Sequence, residues 1–194
     1  ALVLQDGVWV KSGDATRRYL GSIRPRSATT FHWVRLGTDA PCKFDLWNLY
    51  NQVSVNFVLK NTANSWNYTT ATWRQCQAST NYQTDVMVGL RLGSIFNGKL
   101  MVSSENTSND VSRQVGFGVD VTNAMTGLTA FTTNYVGLAN HICHQVASLV
   151  DFPGIGRHYY AWLEISTATG TTTWYGDNNV PLRIQSGMDG TWVC

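Results

Sequence analysis

Over much of this chain apolar and polar residues alternate one by one, the period a β-strand imposes and a helix does not. The clearest run is Arg157-His-Tyr-Tyr-Ala-Trp-Leu-Glu-Ile165. Tyr159, Ala161, Leu163 and Ile165 fall on one face, and His158, Tyr160, Trp162 and Glu164 on the other. Ser166 to Gly170 reads as a turn, and the β-branched and aromatic run Thr171 to Tyr175 as the strand returning beside it. Both faces of the first strand carry large rings. Either it is a central strand covered on both sides within one domain, or a neighbouring chain covers one face.

The same period recurs elsewhere. Leu2 to Gln5 and Val8 to Lys11 flank Asp6-Gly7, a two-residue hairpin signal. Ser12-Gly13-Asp14 turns into a strand over Thr16 to Ile23, and Arg24-Pro25-Arg26 is loop because proline cannot donate to a ladder. Thr29 to Leu36 reads as strand. Phe44 to Lys60 reads as two strands broken near Asn51, with Val53, Val55, Phe57 and Leu59 in clean alternation. Further strands are expected over Thr70 to Gln75, Asp85 to Leu92, Lys99 to Ser103 after an Asn97-Gly98 turn, and Gln114 to Thr122. In the last, Val115, Phe117, Val119 and Val121 point inward, and Gly116 and Gly118 face outward where a neighbour packs closely. Phe131 to Val150 reads equally as strand or short helix. Pro181 to Ser186 and Thr191 to Val193 are the final short strands. About a dozen strands with almost no helical periodicity predict an all-β domain, an antiparallel β-sandwich or jelly roll.

Composition sharpens this picture. Hydrophobic residues make up 43% of the chain, enough for a substantial core, and only 13% of it is charged. Typical domains carry about a quarter. The surface is therefore polar but uncharged, a balance common on extracellular and viral β proteins. Net charge is +2, unevenly spread. Residues 1–43 hold seven basic and three acidic side chains (+4), and the remainder seven and nine (−2). The excess is too scattered for nucleic acid, though it suits an acidic partner surface. No apolar run is long enough to span a bilayer, so no membrane is expected. The reading is one domain, 1–194, with basic N-terminal strands over 1–43 and the main sandwich over 44–194. The start at Ala1, inside a strand-like run, is read as the C-terminal part of a longer chain.

Candidate chemistry is sparse. His141, Cys143 and His144 are the one ligand-like cluster, but neighbours this close supply neither a fourth donor nor tetrahedral geometry, so no metal is expected. Cys42, Cys76, Cys143 and Cys194 lie far apart with no CxxC and read as buried thiols. His158 lacks an evident nucleophile and orienting acid. Asp85, Asp120 and Glu164 are placed by alternation where a glycosidase pair could stand, though with twelve acids in the chain this is what chance provides. Asn67-Tyr-Thr69 and Asn106-Thr-Ser108 match the glycosylation sequon. No cofactor and no enzymatic activity are expected.

Four blocks resemble, in order, a module of tailed-bacteriophage virion proteins. They are Leu4-Gln-Asp-Gly-Val-Trp-Val-Lys-Ser-Gly-Asp-Ala-Thr-Arg-Arg-Tyr-Leu-Gly-Ser-Ile23, Trp47-Asn-Leu-Tyr-Asn-Gln-Val53, Tyr68-Thr-Thr-Ala-Thr-Trp-Arg-Gln75, and Pro153 to Asp177 with Gln185 to Gly190. The resemblance spans nearly the whole chain. It departs at the bulky Thr-Trp-Val-Cys194 end, at Pro25-Arg26, and in a shortened stretch over Gly37 to Pro41. It implies a virion surface component: a homotrimer with a jelly-roll-like sandwich, serving as a capsid decoration (cement), head-fibre or tail-fibre protein. The implied partners are further copies of itself and the major capsid protein or other virion proteins. The alternative is a tail-fibre tip recognising a host-surface glycan or protein. The family pattern names no catalytic residue. On this reading Arg17, Arg18, Tyr19 and Arg24 meet the partner, and Tyr160, Trp162 and Trp174 pack between subunits.

Overall fold

The computed structural model describes residues 1–90, 93–126, 130–132, 135–180 and 184–193. In chain order the strands are β1 (Leu2–Gln5), β2 (Val8–Lys11), β3 (Asp14–Arg18), β4 (Gly21–Ile23), β5 (Trp33–Val34), β6 (Leu36–Thr38), β7 (Cys42–Phe44), β8 (Leu46–Asn48), β9 (Ser54–Lys60) and β10 (Ser65–Asn67). There follow β11 (Arg74–Gln75), β12 (Gln83–Val88), β13 (Phe96–Asn106), β14 (Val111–Val119), β15 (Ala130–Thr132), β16 (Tyr135–Gly137), β17 (Cys143–Asp151), β18 (Gly156–Ser166), β19 (Thr172–Tyr175) and β20 (Gly187–Val193). A 3-10 turn, Cys76–Ala78, is the one helical element among the described residues. The chain is all-β, as its alternation predicts.

Two large sheets face each other. One has eight strands around β13, which pairs along one side with β17 and along the other with β20 and then β19. The other has seven around β18, which pairs with β14 on one side and with β12 and β11 on the other. At one flank β15 and β17 lie beside β14, so the sheets curl together into a half-barrel. At the opposite flank the sheets end in the short strands β5 and β6. The pairing is mixed rather than purely antiparallel, because β7 runs parallel to β12 and β6 parallel to β9. The chain steps from the edge of one sheet at β5 to the edge of the other at β6, then back to β7. Those crossings lay strands beside neighbours of the same direction.

The core lies between the sheets. Phe96 of β13 stacks on Tyr160 of β18 with centroids 3.5 Å apart, and Phe44, Phe57 and Phe117 extend the ring cluster. Trp162, Trp174, Trp192 and Trp47 are also fully buried. The alternation of β18 is as read from the sequence: even-numbered residues face the core. Its second face is covered by the chain itself. The segment after β14 folds back so that Val121 and Met125 lie over Gly118 and Gly116. A Cβ on Gly118 would stand 2.2 Å from the Val121 carbonyl oxygen, which is why glycine is required there.

Two expectations are corrected. The segment 157–176 is not a hairpin: β18 and β19 lie in different sheets, and Ser166 to Thr172 is the arch between them. Local alternation cannot distinguish a strand that returns beside its predecessor from one that crosses the core. Asn97-Gly98 is not a turn either. Both lie inside β13, opposite Val150 and Leu149 of β17 and Thr191 and Gly190 of β20. Gly98 leaves room for the rings of Phe96 and Phe117, which a Cβ there would meet at 2.6 and 3.1 Å. Among the described residues from 131 to 150 the regular elements are the strands β15, β16 and β17, and none is helical. The predicted Asp6-Gly7 turn is present, with both residues at positive φ. Arg91 and Leu92, the first part of the strand expected at Pro181, and Cys194 lie outside the described residues.

The small sheet β1-β2-β3 packs on this body through Trp9 and Tyr19. The Phe96 ring sits at the centre of the aromatic stack, so Phe96→Ala is expected to cost about 3–5 kcal/mol. Urea unfolding measures this; a loss below 1 kcal/mol would contradict the central role of the stack.

Candidate interaction surface

The residues expected between subunits are not at the surface. Tyr160, Trp162 and Trp174 are fully buried in the chain's own core. The Tyr160 hydroxyl donates to Asp151 at 2.9 Å, and Trp174 Nε1 donates to the Tyr68 carbonyl at 3.0 Å. Their rings are spent on the facing sheet, which corrects their assignment to a subunit contact. Sequence spacing places rings on a face but cannot say which body covers that face.

Of the four residues expected at a partner, Arg17 and Arg18 lie exposed on β3. Tyr19 packs over Trp47 instead, centroids 6.4 Å apart, and its hydroxyl lies 2.5 Å from Ser22 Oγ. Arg24 is drawn inward by an ionic cluster absent from the sequence reading. Asp85 on β12 is buried, and its carboxylate accepts from Arg26 at 2.9 Å, Arg157 at 2.8 Å, Arg24 at 3.4 Å and Gln83 at 3.0 Å. Arg26 also donates to the buried Asp45 at 2.7 Å. Burial, then the positive charges of Arg157 and Arg26, lowers the Arg24 pKa from its ordinary value. The cluster straps the segment 24–32 onto the outer face of the seven-stranded sheet. Two backbone bonds reinforce it, from Arg24 N to the Asp45 carbonyl and from Asp45 N to the His32 carbonyl.

The acids read as a possible hydrolytic pair are separated by the sheet. Asp85 shares a face with its register partner Tyr159, while Glu164 is on the core side. Glu164 accepts from Trp66 Nε1 and from Arg74 Nε, each at 2.8 Å. Burial raises its pKa, and Arg74 and these hydrogen bonds oppose the shift. His158 sits between two acceptors, with Nδ1 2.7 Å from Asp120 Oδ2 and Nε2 2.9 Å from the Gly154 carbonyl oxygen, so it ties the 151–156 loop to Asp120, an acid partner the sequence reading did not place beside it.

Among the described residues no three His, Cys, Asp or Glu side chains gather as a metal site. Cys143 faces inward, receiving a hydrogen bond from Arg113 at 2.8 Å, while His144 points outward with Nδ1 2.9 Å from Ser103 Oγ. Cys42, Cys76 and Cys143 are buried, as expected; burial pushes the Cys42 pKa up to about 11. Asn106 of the second sequon is sealed inside, donating to Thr172 Oγ1 at 2.6 Å, while Asn67 is exposed.

What remains open is an apolar surface in the N-terminal quarter. Leu2, Val3, Leu4, Leu20, Ile23, Phe31, Trp33, Leu36, Tyr50 and Val53 are all exposed. Two adjoining hollows mark it. One, of about 160 Å³, is lined by Leu20, Gly21, Ile23, Leu46, Trp47 and Asn48. The other, of about 200 Å³, is lined by Trp33, Leu46, Asn48, Asn51 and Val53.

Two predictions follow from the buried acids. Asp85→Asn leaves three arginines without their shared counter-ion. Their side chains are 18–38% exposed, so water offsets part of the loss, and a cost of about 1–3 kcal/mol is expected in urea unfolding. For Glu164, a raised native pKa means the folded state holds the proton more tightly than the unfolded chain. Its contribution to stability is complete below the ordinary glutamate value of about 4.3 and is lost as pH rises through the raised native value. Glu164→Gln should flatten the stability profile in that window; parallel profiles for the two proteins would refute this. No protein-family model matches the chain, and no curated protein matches it.

Proposed function

We propose that this chain is a structural component of a tailed-phage virion. On this reading it is an outer-surface capsid decoration protein of cement or head-fibre type. Its jelly-roll-like sandwich, antiparallel but for two pairings, assembles as a homotrimer and docks on the major capsid protein or another virion protein. It works by mutual burial of surface and carries out no reaction. The observation that carries the reading is the distribution of exposed apolar side chains. Ten of the nineteen large exposed ones among the described residues fall within the first 53 positions. Exposed to roughly half their area, they offer on the order of 1,000 Å², against about 800 Å² per partner in a stable interface. The exposed Arg17 and Arg18 border the same quarter, which suits an acidic partner. The ordered sequence blocks supply the virion context. The acids fit the reading too, since Asp85 and Glu164 are engaged by arginines.

The alternative is a tail-fibre tip that recognises a host-surface glycan or protein. It draws on the 39%-exposed Trp33 beside Asn48 and Asn51, a ring with amides around a hollow. Electron microscopy of virions labelled with antibody to this chain tests both. Label over the head is expected, and label confined to the tail would favour the alternative. Absence from the particle would defeat both.

A further inference from the structure

The twin hollows have a counterpart elsewhere on the same chain. The loop between β17 and β18 carries Phe152 and Ile155 at its tip, 66% and 61% exposed, separated by Pro153 and Gly154. Exposed loop tips are ordinarily small or polar. This one is held rigid at its foot. Tyr160 donates to Asp151, the His158 ring lies between the Gly154 carbonyl and Asp120, and Asp120 accepts from the Tyr159 backbone N–H at 2.9 Å. A pinned loop presents its side chains without the entropy of ordering them on contact, which favours association.

We propose that Phe152 and Ile155 of one copy seat in the two hollows of a second copy, against Leu20, Ile23, Leu46, Trp33 and Val53. Size supports the match: a dry cavity of about 150 Å³ holds a benzene ring. The hollows, at about 160 and 200 Å³, each accept one large side chain, and the loop offers two. Area supports it as well: Leu20 and Ile23 on the hollow rim and Phe152 and Ile155 on the loop tip are all more than half exposed, within an exposed apolar set on the order of 1,000 Å² against about 800 Å² per partner in a stable interface. The loop and the hollows are different patches of one chain, so two copies can exchange them reciprocally about a two-fold axis or pass them head to tail. Passed head to tail, each copy gives a loop to one neighbour and receives one from another, and the arrangement closes into a ring where the rotation between copies permits it. That the ring holds three copies rests on the reading proposed above; the loop-in-hollow contact itself rests on geometry.

The test uses the purified chain at tens of micromolar, with light scattering coupled to size exclusion. The wild type is expected to assemble. Phe152→Ser/Ile155→Ser and, separately, Ile23→Asp should run as monomers with melting temperatures near wild type, since the replaced side chains are exposed. Ile155→Cys and Ile23→Cys are then made as separate proteins in a Cys194→Ser background, mixed and oxidised. A disulfide-linked pair on a non-reducing gel is expected only when both are present, because the remaining native Cys42, Cys76 and Cys143 are buried. A monomeric wild type would overturn the proposal and leave the hollows to a glycan. Assembly that survives the double serine variant would also overturn it, even if Ile23→Asp abolished it, because another segment would then fill the hollows. An assembling chain missing from virions would defeat the virion reading and leave this contact standing.

Discussion

The structure depends on one strand that must be covered on both faces. β18 sends Tyr160, Trp162 and Glu164 toward the opposite sheet, and Ala161 and Leu163 toward the outside. Every other large element is placed to satisfy one of those faces. β13 meets the inner face through the Phe96–Tyr160 stack. The segment after β14 lies across the outer face, where Gly116 and Gly118 let it approach. Once both faces are covered within the chain, the rings of β18 are unavailable to a neighbour. Any surface for assembly must then come from elsewhere.

The buried charges follow from the same constraint. A strand with so few polar positions on its inner face has little to satisfy a carboxylate. Glu164 is accordingly met at the end of the core by Trp66, Arg74 and the Gln77 backbone N–H. On the opposite face Asp85 draws three arginines together and ties down the 24–32 strap. Isolated buried carboxylates are costly, whereas shared and hydrogen-bonded ones fix geometry. In this chain the geometry they fix is the seat of the N-terminal quarter, which supplies the exposed apolar surface.

That surface and the pinned loop are products of the same economy of charge. With only 13% of residues charged, the chain has few repulsive side chains to keep apolar patches apart. Single exposed leucines are unremarkable, but adjoining hollows beside a rigid apolar tip concentrate them into specific sites. The functional reading accordingly rests on shape and burial rather than on a reactive group.

The sequence by itself determined the all-β character, the two alternating rows of β18, the inward rows of β9 and of β14 as far as Phe117, though not Val121, which folds over Gly118 instead, and the Asp6-Gly7 turn. These depend on side-chain period and on positive φ, both of which are local. It also indicated that Gly116 and Gly118 mark a close approach and that Cys42, Cys76 and Cys143 are buried thiols. Only the tertiary structure decided which strands are neighbours. Ser166 to Thr172 became an arch rather than a turn, Asn97-Gly98 stayed inside a strand, and two pairings became parallel. It also decided which body covers each ring-bearing face, moving Tyr160, Trp162 and Trp174 into the core. The Asp85 cluster was unreadable for the same reason: its acid and its arginines lie some sixty or seventy positions apart in sequence. Periodicity records the direction in which a side chain points, while the partner that meets it is set by long-range pairing that no local pattern encodes.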